Sequence, residues 1–167
     1  MKPAIFFISG TSGSGKSTLV ELLKKKLLIV KVYDLDEEGV PEGADENWRR
    51  MKTNYWLEKA VNYFSKGKST IICGVIVPEE VKNCPNYSNL LNVNYGFIRI
   101  DETEIRRRLN LRDWSSEQVE GNVIWAQHLE RYVKAEKNHL IVDGVKNSPT
   151  ELAEKFTEWI KKEIESF

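Results

Sequence analysis

Gly10-Thr11-Ser12-Gly13-Ser14-Gly15-Lys16-Ser17-Thr18 fits the phosphate-loop pattern G-x-x-x-x-G-K-[ST] at every fixed position. Its neighbours supply the right context. Ala4-Ile5-Phe6-Phe7-Ile8-Ser9 is a short apolar, β-rich run that reads as a buried strand. Leu19 to Leu27 carries apolar residues at helical spacing. A glycine-rich turn between a strand and a helix lets the backbone approach a phosphate closely. The N–H groups of Gly10, Ser12, Gly13, Ser14 and Gly15 then surround the anion, and the positive end of the following helix faces it. Lys16 reaches the β- and γ-phosphates as a mobile charge, and the hydroxyls of Ser17 and Thr18 stand at the same end. Ser17 is the candidate ligand for Mg²⁺.

Further along, Leu28 to Tyr33 reads as a second strand running into Asp34-Leu35-Asp36. Carboxylates at a strand's C-terminal end lie on the ligand edge of an open α/β sheet. Asp45 is an N-cap for a helix to about Lys66, with Trp48, Met51, Tyr55, Trp56, Ala60, Val61 and Phe64 at helical spacing. Arg49 and Arg50 sit off that stripe and are candidates to meet an acceptor. Ser69 to Val77 is a third strand, apolar enough to be buried on both faces, with Gly74 leaving room for a ligand or another part of the chain. It ends without an aspartate, which makes Asp34 the candidate second metal oxygen beside Ser17.

Val93 to Ile100 is the fourth strand. Asp101 and Glu104 form a capping-box pattern ahead of Arg106, Arg107, Arg108 and Arg112. Arg108 and Arg112 share a helical face if that helix persists. Ser115 and Gln118 open another helix to about Lys137, and His139 to Asp143 is a fifth strand. Ser148-Pro149-Thr150-Glu151 starts the last helix.

Composition narrows the function. A chain of 167 residues with 41% hydrophobic residues is expected to form one domain over 1–167 with a sizeable core. Twenty-five basic and 25 acidic residues cancel, so no global field favours a nucleic-acid partner. No run is long and apolar enough to span a membrane, and the start has no signal-peptide layout, which predicts a cytoplasmic protein. Cys73 and Cys84 lack metal-ligand spacing and are expected to be reduced.

Five strands separated by helices predict an α/β fold, a parallel sheet with helices on both faces. With the phosphate loop, Asp34-x-Asp36 and Arg108-x-x-x-Arg112, the chain resembles the small P-loop kinases, which include the nucleoside monophosphate, shikimate and gluconate kinases. The resemblance implies a three-layer P-loop fold with strand order 2-3-1-4-5. It also implies an acceptor-binding region at about 37–66 and a lid at about 106–120. Carried over, Asp34 helps to hold Mg²⁺ or stands near the base position, Asp36 binds the acceptor hydroxyl, Arg108 stacks on adenine and Arg112 clamps phosphate, with either aspartate able to orient that hydroxyl and take its proton. Asn147 and Pro149 lie near the adenine. The activity implied is ATP- and Mg²⁺-dependent phosphoryl transfer to a small-molecule acceptor. Lys16, Asp34, Asp36 and Arg112 are its catalytic residues, and Asp36, Arg49, Arg50 and Gly74 contact the acceptor. The alternatives are a polynucleotide 5′-hydroxyl kinase and a non-catalytic ATP-binding protein. A guanine-reading N-K-x-D segment, which a GTP switch requires, is absent.

Overall fold

A computed structural model describes residues 3–165. Five parallel strands form one sheet: β1 (Ile5–Ser9), β2 (Lys31–Asp34), β3 (Thr70–Gly74), β4 (Val93–Arg99) and β5 (His139–Asp143). Their order is β2-β3-β1-β4-β5, as the resemblance implied. The central strand β1 pairs Phe7 with Ile72 on one side and with Tyr95 on the other.

The two-residue period of β1 sorts its side chains between two cores. Phe6 and Ile8 face α1 (Lys16–Lys26) and α6 (Pro149–Glu165), where they meet Leu19, Leu23, Phe156 and Ile160. Ile5 and Phe7 face α2 (Glu46–Phe64), α3 (Pro78–Lys82) and α5 (Ser116–Lys134), where they meet Trp56, Leu57, Val81 and Leu129. Each fully buried phenylalanine of this kind contributes about 1.5–3 kcal/mol. A smaller cluster joins α4 (Glu102–Asn110) to α5 through Ile105, Leu109, Val119 and Val123. No helix among the described residues is long and apolar enough to cross a membrane.

Several local expectations change. The second strand starts at Lys31 and not at Leu28, because Val30 N–H closes a turn on the Leu27 carbonyl and pairing with β3 begins at Lys31. Leu28 and Ile29 are exposed as a result. The third strand stops at Gly74. Met51 is exposed, because the buried stripe of α2 runs through Thr53, Trp56, Leu57 and Ala60. Asp101 does cap α4 through Glu104 N–H, but Glu104 does not return the bond: its carboxylate is taken by Arg107 and Arg108. The Ser115–Gln118 and Ser148–Glu151 pairs bond reciprocally, as their spacing predicts. The helix carrying Arg108 ends at Asn110, so Arg112 lies in the following turn, where Asp113 adopts a left-handed φ of 57°.

Candidate active site

The phosphate loop joins the C-terminal end of β1 to α1. Gly13 (φ 76°) and Gly15 (φ 97°) hold left-handed backbone that side chains disfavour, which explains the glycines at these places. Gly15 is the N-cap of α1, no side chain caps that helix, and its first turn carries no acidic residue. The positive end of α1 therefore has no side-chain partner, which fits an anion such as a nucleotide phosphate.

Lys16 folds over this cradle. Its Nζ donates to the Thr11 carbonyl at 2.7 Å and reaches Ser14 Oγ at 3.4 Å. Burial pulls its pKa down to about 8, against the opposing pull of Asp36 and then Asp34. The charge of Arg112 also acts on Lys16, in the lowering direction, which places Arg112 within electrostatic reach of the loop. The Arg112 backbone N–H closes a turn on the Leu109 carbonyl at 3.0 Å, while its side chain is exposed and has no hydrogen bond or ion pair among the described residues.

The two aspartates occupy different roles. Asp34 ends β2, and its Oδ2 accepts from Ser17 Oγ at 3.1 Å. Its Oδ1 accepts the Asp36 backbone N–H at 3.0 Å, so Asp34 also shapes the turn that presents Asp36. Burial, followed by the neighbouring charge of Asp34, raises the Asp36 carboxyl above its ordinary range. Trp56 Nε1 donates to the Leu35 carbonyl at 3.1 Å, anchoring the same turn to α2. Among the described residues no three His, Cys, Asp or Glu side chains cluster as a metal site. The Ser17–Asp34 oxygen pair instead fits Mg²⁺, which takes one or two protein oxygens and completes its shell with phosphates and water.

A cavity of about 290 Å³ opens beside the loop, lined by Ser14, Gly15, Thr18, Arg108, Asn147 and Pro149, among others. The structure thus brings Arg108 to the same cavity as Asn147 and Pro149, about 40 positions further along the chain. Arg108 Nη1 donates to the Gly13 carbonyl at 2.9 Å while its Nε donates to Glu104 at 2.5 Å. Asn147 is held by the Asp143 carbonyl at 2.7 Å.

On the opposite side stand Arg49 and Arg50. Arg49 grips Glu80 through both Nε (3.0 Å) and Nη2 (2.6 Å) and lies over the Trp125 ring. Arg50 pairs with Glu46 and approaches Glu80 at 3.6 Å. Gly74 has a packing reason: a Cβ there would stand 2.5 Å from Leu35 Cβ, so the space is filled by Leu35 and not by a ligand. Glu80 and Trp125 escaped the sequence reading as site residues, and Glu104, read there as a capping residue, holds Arg107 and Arg108 instead. The spacing of Glu104, three and four residues ahead of Arg107 and Arg108, carries that pairing, whereas Glu80 and Trp125 left no local signal.

The sheet order, the loop and the pocket beside it define the chain as a member of the small P-loop kinase superfamily. More particularly, it belongs to the AAA domain family, which matches residues 6–136. A Sulfurisphaera tokodaii protein named "Putative adenylate kinase" is 27% identical over 135 residues, covering 71% of each chain. Among solved structures, shikimate kinase from Aquifex aeolicus superposes with a TM-score of 0.62 at 20% identity, over 94% of this chain and 96% of that one. A gluconokinase from Sinorhizobium meliloti 1021 gives 0.63 at 16% identity, over 99% and 95%. These two likenesses are of fold.

Proposed function

We propose that the chain transfers the γ-phosphoryl group of ATP to a small-molecule acceptor. The observation that carries this reading is the Ser17–Asp34 contact at 3.1 Å, beside the Lys16 ammonium at the mouth of an uncapped helix. Two hard oxygen donors and one cation gathered beside the loop support a site for a terminal phosphate.

Catalysis at such a site is positioning and charge stabilisation. The loop amides and the α1 N-terminus hold the phosphate chain. Lys16 leaves the Thr11 carbonyl to meet the β- and γ-phosphate oxygens. Arg108 and Asn147 border the base cavity, and Arg112 swings from its turn to add positive charge as the bond breaks. Ser17 and Asp34 would hold Mg²⁺, which supplies charge neutralisation at the phosphates when bound. Asp36 orients the acceptor hydroxyl; its raised pKa fits a group that takes a proton and later releases it to water. Closure of the segment at about 106–120 excludes water and suppresses hydrolysis.

The test is ADP release with ATP and Mg²⁺ across nucleosides, nucleoside monophosphates, shikimate, gluconate and a 5′-hydroxyl oligonucleotide. An acceptor-dependent rate that disappears in Lys16→Ala supports the reading. Near-normal turnover in that variant would sink it.

A further inference from the structure

The reading above leaves the acceptor class open, and the charge pairing beyond the aspartates narrows it. The end of β3 is tied to the root of the phosphate loop, because Ile76 N–H donates to Ser9 Oγ at 3.0 Å. Immediately beyond it, a cleft of about 290 Å³ opens between the first turns of α2, the short helix α3 and the flank of α5. Val77, Arg49, Arg50, Glu80, Trp125 and Tyr132 are among its lining residues. It lies past the C-terminal ends of the strands, the edge at which open α/β sheets take their ligands.

The arginines of this cleft are already spoken for. A phosphate monoester is best recognised by a guanidinium fork that offers two parallel N–H donors. Arg49 presents such a fork, but both of its donors reach the two oxygens of Glu80. The pair is well shielded, with side-chain exposures of 19% for Arg49 and 10% for Glu80. The flat face of Arg49 is covered by Trp125 at 5.3 Å. Arg50 is neutralised by Glu46 and the same Glu80 oxygen. Glu79 adds a third carboxylate to the lining. Two guanidinium groups thus face three carboxylates, so the cleft carries no surplus positive charge. A dianionic acceptor would have to displace Glu80 from a shielded pair and then stand beside that freed carboxylate. An uncharged acceptor needs neither, and finds carboxylate acceptors for its hydroxyls and two aromatic walls.

We infer that the acceptor is an uncharged hydroxylated molecule, such as a nucleoside or a polyol, and that Glu80 excludes phosphorylated acceptors. This inference rests on the phosphotransferase reading. The acceptor hydroxyl oxygen bonds to the γ-phosphorus, the bond from that phosphorus to the β,γ-bridging oxygen breaks, and ADP leaves with that electron pair. The hydroxyl proton passes to water.

The experiment measures kcat/KM for ADP release with ATP and Mg²⁺, using nucleosides and polyols and, in parallel, their monophosphate esters. The uncharged set is expected to lead by about tenfold or more, as like-charge juxtaposition demands. In Glu80→Gln, checked for folding by its melting temperature, that lead shrinks by about tenfold or reverses because Arg49 regains its fork. Equal rates, or faster turnover of the monophosphates by the wild type, would overturn the inference and leave the phosphotransferase reading standing. The wild-type ratio decides this even if Glu80→Gln fails to fold. No acceptor-dependent release from either set, with ATP still bound, would remove the phosphotransferase reading and the inference together.

Discussion

The proposed nucleotide side and the proposed acceptor side of this molecule are built from different materials. On the first, the groups offered to a phosphate are backbone amides, a helix end and Lys16, all within Gly10 to Thr18. On the second, the polar groups are side chains drawn from distant segments. Arg49 reaches Glu80, and Lys52 and Tyr55 reach Glu38 at 2.6 and 2.7 Å. The first side is left with its positive charge unspent, and the second has its charges cancelled in pairs. The contrast separates two tasks: a fixed polyanion needs a standing field, whereas an acceptor is selected by what its pocket refuses.

The largest test of this contrast is Lys16→Ala. Turnover should fall by about a hundredfold to a thousandfold, as for loss of a donor aimed at developing charge. The melting temperature should hold, because Lys16 bonds only within its own loop. A lost rate with a collapsed melting curve would instead make Lys16 part of the framework. Asp34→Asn comes next. It should lower the rate by about tenfold to a hundredfold and raise the Mg²⁺ concentration needed for half-maximal rate. An unchanged Mg²⁺ titration would restrict Asp34 to its turn-forming bond with Asp36 N–H.

Gly74→Ala probes the boundary between the two sides. Its Cβ would collide with Leu35, between the two aspartates, and should cost about 1–3 kcal/mol in urea unfolding. If stability were untouched and only acceptor KM rose, Gly74 would belong to the ligand and not to the packing.

The Lys16 pKa gives a pH signature peculiar to the nucleotide side. The free protein holds this group at about 8, below its ordinary 10.5. The unfolded chain therefore binds the proton more tightly than the folded one. The burial penalty is fully present below about pH 8 and is relieved as pH rises from there towards 10.5. ATP phosphates restore the ammonium, so binding between pH 8 and 9 should take up a proton and weaken as pH rises. Calorimetry in buffers of different ionisation enthalpy reads this directly, and Lys16→Met should abolish it. The smallest effect is expected for Glu38→Gln, which loosens the turn after Asp36 from Lys52 and Tyr55. Acceptor KM should rise severalfold with ATP affinity unchanged; a matching loss of ATP affinity would erase the division between the sides.

The element pattern was largely legible in the sequence, and its failures share one cause. Leu28 and Ile29 have the composition of a strand, yet β3 offers pairing only from Thr70 onward. Met51 has helical spacing, yet the sheet lies against Trp56 and Leu57. Glu104 has the capping spacing, yet two arginines outbid a backbone N–H for it. In each case a local preference lost to a partner supplied by the fold.

What the sequence determined by itself is the phosphate loop, its strand–loop–helix setting, the five-strand α/β architecture and Asp34 at a strand end. These follow from contiguous spacing and from the backbone freedom of glycine, both properties of a short stretch of chain. Only the tertiary structure decided that Ser17 meets Asp34, that Arg108, Asn147 and Pro149 border one cavity, and that Glu80 holds Arg49. The two bonds join residues 17 and 31 positions apart, and Arg108 reaches the loop at Gly13 across 95 positions. Charge pairing depends on distance in space, and that distance is set by how the helices pack across the sheet.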